Sequence, residues 1–175
     1  STFVQADSDV SGLTISGLTL DGDQTAVETN SFTLDELTVT DNQFVNVGDG
    51  TTVIAATDDT LNNVEIANNA FEAASDDGNT YTGIAVESIA DPGASTSSDI
   101  TADVTGNTFT GVSSQAIVVS GLDDSENDNN DVLLTVADNE IEQTGNTGES
   151  PTVDLSGLDT SYDAETVVDA NTITG

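Results

Sequence analysis

The side chains of this 175-residue chain that could do chemistry are nearly all carboxylates: 33 Asp and Glu, and no Lys, Arg, His, Cys, Met or Trp. Carboxylates ligate hard cations or work as acid-base pairs. The densest run, Asp123-Asp-Ser-Glu-Asn-Asp-Asn-Asn-Asp131, places Asp124, Glu126 and Asp128 at alternate positions and ends on Asp131. That spacing lets the oxygens of one loop converge on Ca2+, although the sixth-position glycine and the flanking helices of an EF-hand are missing. Asp21-Gly-Asp23, Asp58-Asp59 and the run from Asp76 to Asn79 are shorter versions. A weak Ca2+ site, filled at extracellular millimolar concentrations, is the expectation for Asp124, Glu126, Asp128, Asp131, Asp21, Asp23 and Asp76. The plain alternative is that acidic loops are solvated insertions. As acid-base pairs, Asp58/Asp59 or Asp123/Asp124 have the residue types for glycoside cleavage.

The rest of the composition excludes whole classes of function. A formal charge of -33 with no basic group cannot neutralise phosphates, so neither nucleic acid nor an anionic membrane surface is an expected partner. Without Cys and His there is no disulfide framework, no thiolate nucleophile, no ordinary zinc site and no Ser-His-Asp triad. No run approaches the ~20 apolar residues of a membrane span, and Ser1 opens a chain with no basic or apolar leader. We therefore expect a mature secreted product or an excised piece of a larger surface protein, located outside the cell or on its surface. With 35% hydrophobic but only 4% aromatic residues, the core must be built from Val, Ile, Leu and Ala.

The elements that position these groups follow from an internal repeat. A phrase recurs at Leu37 to Phe44, Val64 to Phe71, Ala102 to Phe109, Leu134 to Ile141 and Thr166 to Ile173, each with one asparagine in the same place: Asn42, Asn69, Asn107, Asn139 and Asn171. A weaker sixth copy, Leu13 to Leu20, has Leu18 there. Steps of about 24, 27, 38, 32 and 32 residues suit one strand-rich unit per step with loops of variable length. Three residues before the asparagine stand Ile15, Val39, Ile66, Val104, Val136 and Val168; two after it stand Leu20, Phe44, Phe71, Phe109, Ile141 and Ile173. Polar residues alternate with these, so each phrase reads as two strands meeting at a corner, which a left-handed asparagine would form. A third strand is expected at the apolar runs from Thr52, Gly83, Ala116 and Thr152.

This phrase resembles the right-handed parallel β-helix of pectate-lyase-like and related surface proteins, whose coils read V-x-[IV]-x-x-N-x-[FI]. The resemblance runs from about Leu13 to Ile173. It implies an all-β, single-stranded coil of five to six turns over one domain, residues 1 to 175, with aliphatic ladders inside and an asparagine ladder at one corner. The competing arrangement is an antiparallel sandwich with asparagines in turns, but strands at matched positions in unequal repeats suit stacking better than hairpins.

The resemblance names no function, because the same coil carries lyases, hydrolases, adhesins and surface-layer subunits. Lyases and polygalacturonases resembling this fold hold acidic sugars with Arg, Lys or His, which are absent here, so no enzyme is expected. A Thr-rich ice-binding face is not expected either, since Thr38/Thr40 is followed by Glu65/Ala67, Asp103/Thr105, Thr135/Ala137 and Val167/Asp169. Neither end shows a capping helix, and the last copy stops just after its asparagine. The expected role is a structural subunit that stacks head to tail with other copies of itself into a filament, sheath or surface layer, assisted by divalent cations. The alternative is a segment of a large calcium-dependent adhesin.

Overall fold

β-branched residues alternating with polar ones favour extended chain, and each repeat folds into strands at those positions. The computed structural model describes residues 2–6, 8–22, 25–30, 33–34, 36–57, 60–61, 63–74, 81–87, 100–120, 132–144, 152–157 and 164–174. The first turn comprises β1 (Thr2–Ala6), β2 (Leu13–Ser16) and β3 (Thr19–Asp21). In the second lie β4 (Thr25–Asn30), the short β5 (Thr33–Leu34), β6 (Leu37–Thr40) and β7 (Gln43–Val47). The third holds β8 (Thr52–Thr57), the short β9 (Thr60–Leu61), β10 (Asn63–Ala67) and β11 (Ala70–Ala73). The fourth is β12 (Thr82–Glu87), β13 (Ile100–Thr105) and β14 (Thr108–Val112). The fifth is β15 (Ile117–Ser120), β16 (Val132–Ala137) and β17 (Glu140–Gln143). The sixth is β18 (Val153–Gly157), β19 (Ala164–Asp169) and β20 (Thr172–Thr174).

Equivalent strands stack into three six-stranded sheets, ordered β1-β4-β8-β12-β15-β18, β2-β6-β10-β13-β16-β19 and β3-β7-β11-β14-β17-β20, while β5 pairs with β9. Every pairing among the described residues is parallel and joins one turn to the next. The molecule is therefore a parallel β-helix, and the antiparallel sandwich is set aside. The sixth turn contributes a strand to all three sheets.

The core is a set of aligned ranks. Val4, Val27, Ile54, Ile84, Ile117 and Val153 occupy one register position of the first sheet. Ile15, Val39, Ile66, Val104, Val136 and Val168 do so in the second, and Leu20, Phe44, Phe71, Phe109, Ile141 and Ile173 in the third. Within the last rank the rings stack, with centroids 4.9 Å apart for Phe44 and Phe71 and 4.6 Å for Phe71 and Phe109. Gly83 makes room for this column: a side chain there would collide with the Phe109 ring and stand 2.9 Å from the Ala116 carbonyl oxygen.

The corner differs from the expectation in one respect. The left-handed residue is not the ladder asparagine but the one before it: Gly17, Asp41, Asn68, Gly106, Asp138 and Ala170, with φ between 52° and 68°. The reason is that the asparagine must turn its side chain inward along the stack. The bend falls on its exposed or half-exposed predecessor. Ala170 is the poorest fit, having neither the missing Cβ of glycine nor the short polar side chain that eases this conformation. Ala170→Gly should raise unfolding free energy by about 1 kcal/mol, read as a higher urea midpoint with an unchanged slope.

Candidate functional site

Two features could carry function: the buried amide ladder with the ends at which it stops, and the carboxylates of the outer surface. The ladder is built one turn at a time. Asn107 Nδ2 donates to the Ile66 carbonyl at 2.9 Å and to Asn139 Oδ1 at 3.1 Å. Its own Oδ1 accepts from Asn69 N–H and Asn69 Nδ2, both at 3.0 Å. Both amide protons and both lone pairs are thus used, as a buried amide requires. Asn69 and Asn139 repeat the scheme, donating to the Val39 and Val104 carbonyls and to the next Oδ1. Each amide-to-amide bond runs from Nδ2 of one asparagine to Oδ1 of the next toward the C-terminus, while the other Nδ2 proton returns to a carbonyl of the preceding turn, so the ladder has a direction and its two ends differ.

At the first end Leu18 holds the corner, and Asn42 Oδ1 accepts only the Leu18 N–H among the described residues, at 3.0 Å. Asn42 Nδ2 still reaches the Ile15 carbonyl. Ile15 is only 6% exposed although it belongs to the outermost turn, and Val4 and Val10 pack against the core. At the other end Asn171 Oδ1 accepts from Asn139 N–H and Nδ2, and Asn171 Nδ2 donates to the Val136 carbonyl at 2.8 Å. Its backbone N–H and second amide proton have no partner among the described residues. Asp169 Oδ1 takes the neighbouring Ala170 N–H at 2.8 Å. Val168 and Ile173, which close ranks that are buried elsewhere, are 54% and 52% exposed.

Among the described residues the carboxylates are less concentrated. A shallow groove of about 360 Å³ on the second sheet is lined by Glu36, Thr38, Glu65, Thr101 and Asp103 among others. Glu65 and Asp103 share one register position there, where like charges on neighbouring strands repel. That outer rank runs Thr38, Glu65, Asp103, Thr135, Val167, so no threonine array forms. Of the sequence-derived cation ligands, Asp21 ends β3, with Asn46 Nδ2 donating to its Oδ1 at 2.7 Å. Asp23, Asp76, Asp124, Glu126, Asp128 and Asp131, with the pairs Asp58/Asp59 and Asp123/Asp124, lie outside the described residues. Among the described residues, no group of three or more carboxylates is placed to hold a metal ion.

Among the described residues, two titratable groups, Asp154 and Tyr81, sit where their surroundings shift them. The Ser156 hydroxyl and N–H, with a further bond from Gln115 Nε2, hold the Asp154 carboxyl below the usual range. Tyr81, fully buried just before β12, donates from its hydroxyl to the Thr110 carbonyl at 3.3 Å. Burial first, then the charge of Glu72, push its phenol above the ordinary value of 10.0. A neutral acid stabilised in this way contributes fully below the unfolded-state value, and the contribution fades as pH rises past it.

Alkaline titration should therefore lower stability from about pH 10 upward, the range where an exposed tyrosine ionises. Tyr81→Phe should flatten that loss, measured by urea unfolding across the alkaline range. For the ladder, Asn107→Leu keeps the branched shape but strands Asn69 N–H, Asn69 Nδ2 and the Ile66 carbonyl. At about 1–3 kcal/mol for each buried orphan, unfolding free energy should fall by at least about 3 kcal/mol. A loss below about 1 kcal/mol would show that the amides contribute little beyond filling space.

Comparison with known proteins finds no matching family model, curated protein or solved structure.

Proposed function

We propose that this chain is a structural module of an extracellular filament, sheath or surface layer, assembled end to end through the open edges of its parallel sheets. The observation that carries this reading is the pair Val168 and Ile173, more than half exposed at the end of ranks whose inner members are buried. A strand edge with unpaired backbone groups beside exposed aliphatics is a template for another strand. Covering each such side chain is worth about 1.5–3 kcal/mol. Mutual repulsion among the 33 carboxylates opposes close approach of two copies, and it is screened beyond about 8–10 Å at physiological salt. Divalent cations, Ca2+ first among them, are the proposed assistants because hard oxygen ligands are the only metal-binding chemistry this chain offers.

A second reading, a module of a large calcium-dependent surface adhesin, is favoured by one observation: Leu18 stands where a continued ladder would need asparagine. There the covering turn belongs to the same polypeptide.

Sedimentation velocity and electron microscopy of the purified chain, with millimolar Ca2+ and then with chelator, test the first reading. The particle should lengthen with protein concentration in Ca2+ and shorten on chelation. Val168→Asp with Ile173→Asp should abolish lengthening while leaving the β-sheet circular dichroism unchanged. A particle that stays monomeric at high protein concentration in Ca2+ would overturn it.

A further inference from the structure

The two ends of the amide ladder are chemically unlike, and this bears on what can sit against the sixth turn. At each inner joint the asparagine of the following turn supplies one Oδ1 that takes two donors from the asparagine before it, at 3.1 and 2.9 Å for Asn139 on Asn171. That following asparagine returns one amide proton to the carbonyl three residues before its predecessor, as Asn171 does to Val136. Asn171 presents the donor half of this arrangement with no acceptor among the described residues. The equivalent carbonyl on its own turn is that of Val168. Around it Val168 and Ile173 await the aliphatic residues that precede and follow a corner asparagine by three and two positions.

We infer that the C-terminal face is a docking site for a parallel β-helix turn that carries asparagine at its corner, and that Leu18 makes this chain's own first turn the poorer occupant. The inference rests on the end-to-end reading above and names the partner chemistry of that joint. A second copy stacked head to tail sets Ile15 and Leu20 in register with Val168 and Ile173, so the side-chain types match, although Ile15 is already covered within its own turn. Its Leu18 brings carbon to the place where Asn171 needs oxygen, burying two donors unmet and leaving the Val168 carbonyl without the amide proton the repeat would supply. Asp169 already holds the Ala170 N–H, so at the corner itself the donors left for the arriving turn are those of Asn171. The joint is selective through an amide more than through side-chain type, because the rank residues are aliphatic at both ends, Ile15 covered and Val168 exposed.

Full-length wild-type chain, Leu18→Asn, and Leu18→Asn combined with Asn171→Leu are compared by sedimentation equilibrium in millimolar Ca2+. Leu18→Asn should self-associate at least about tenfold more tightly than wild type, the scale of two or three hydrogen bonds of ordinary net strength. Asn171→Leu should remove that gain. Tightening by Leu18→Asn when wild type is monomeric supports this inference while overturning the homopolymer reading. Association that is unaffected by residue 18, or a gain that survives Asn171→Leu, overturns the inference and leaves that reading standing. Monomers throughout overturn both. A Leu18→Asn chain that fails to fold also overturns the inference, because the first corner must accept the side chain that the other five corners hold.

Discussion

A buried primary amide has two protons and two lone pairs to satisfy, and in this molecule each can be satisfied only by the turn above and the turn below. That constraint organises the rest. It fixes the rise between turns at hydrogen-bonding distance, since the Oδ1 of one asparagine must meet both N–H and Nδ2 of the last. It also fixes register, because a strand slipped by one residue would carry the amide away from its partners and turn the aliphatic ranks outward. Amides that all point one way polarise one another, so the column acts as a unit more than as separate bonds.

The same constraint explains why the corner bends one residue early. An asparagine left-handed at its own position would serve the turn but lose its aim along the stack. The left-handed backbone is instead assigned to a mixed set of residues with room to face solvent, and Gly, Asp and Asn tolerate it while Ala170 endures it. Loops elsewhere can lengthen freely, since each ladder residue needs only to arrive at the right height. Steps of 27, 38 and 32 residues all close on the same geometry.

Directionality separates the ends. The first turn starts with a side chain that asks for nothing, Leu18, above an Ile15 that is already covered. The last turn stops with an amide still offering protons beside two exposed aliphatics. Among the described residues, Glu65 and Asp103 share an outer rank and repel across neighbouring strands.

Much of this was legible in the residue order. The period of the asparagines and the alternation of Val39, Phe44 and their equivalents are local patterns, and local patterns determine strands, corners and the ranks of the core. Composition likewise settled that no basic, thiol or imidazole chemistry is available. What only the tertiary structure decided is everything that depends on the neighbouring turn. Which residue bears the left-handed backbone, that Tyr81 is sealed under Thr110, and which mouth is covered all turn on contacts between residues some 24 to 38 positions apart. Leu18 and Asn171 look like ordinary members of a degenerate repeat when read along the chain. Their difference emerges only when hydrogen bonds are traced across the stack, because a donor is unmet only relative to what lies above it.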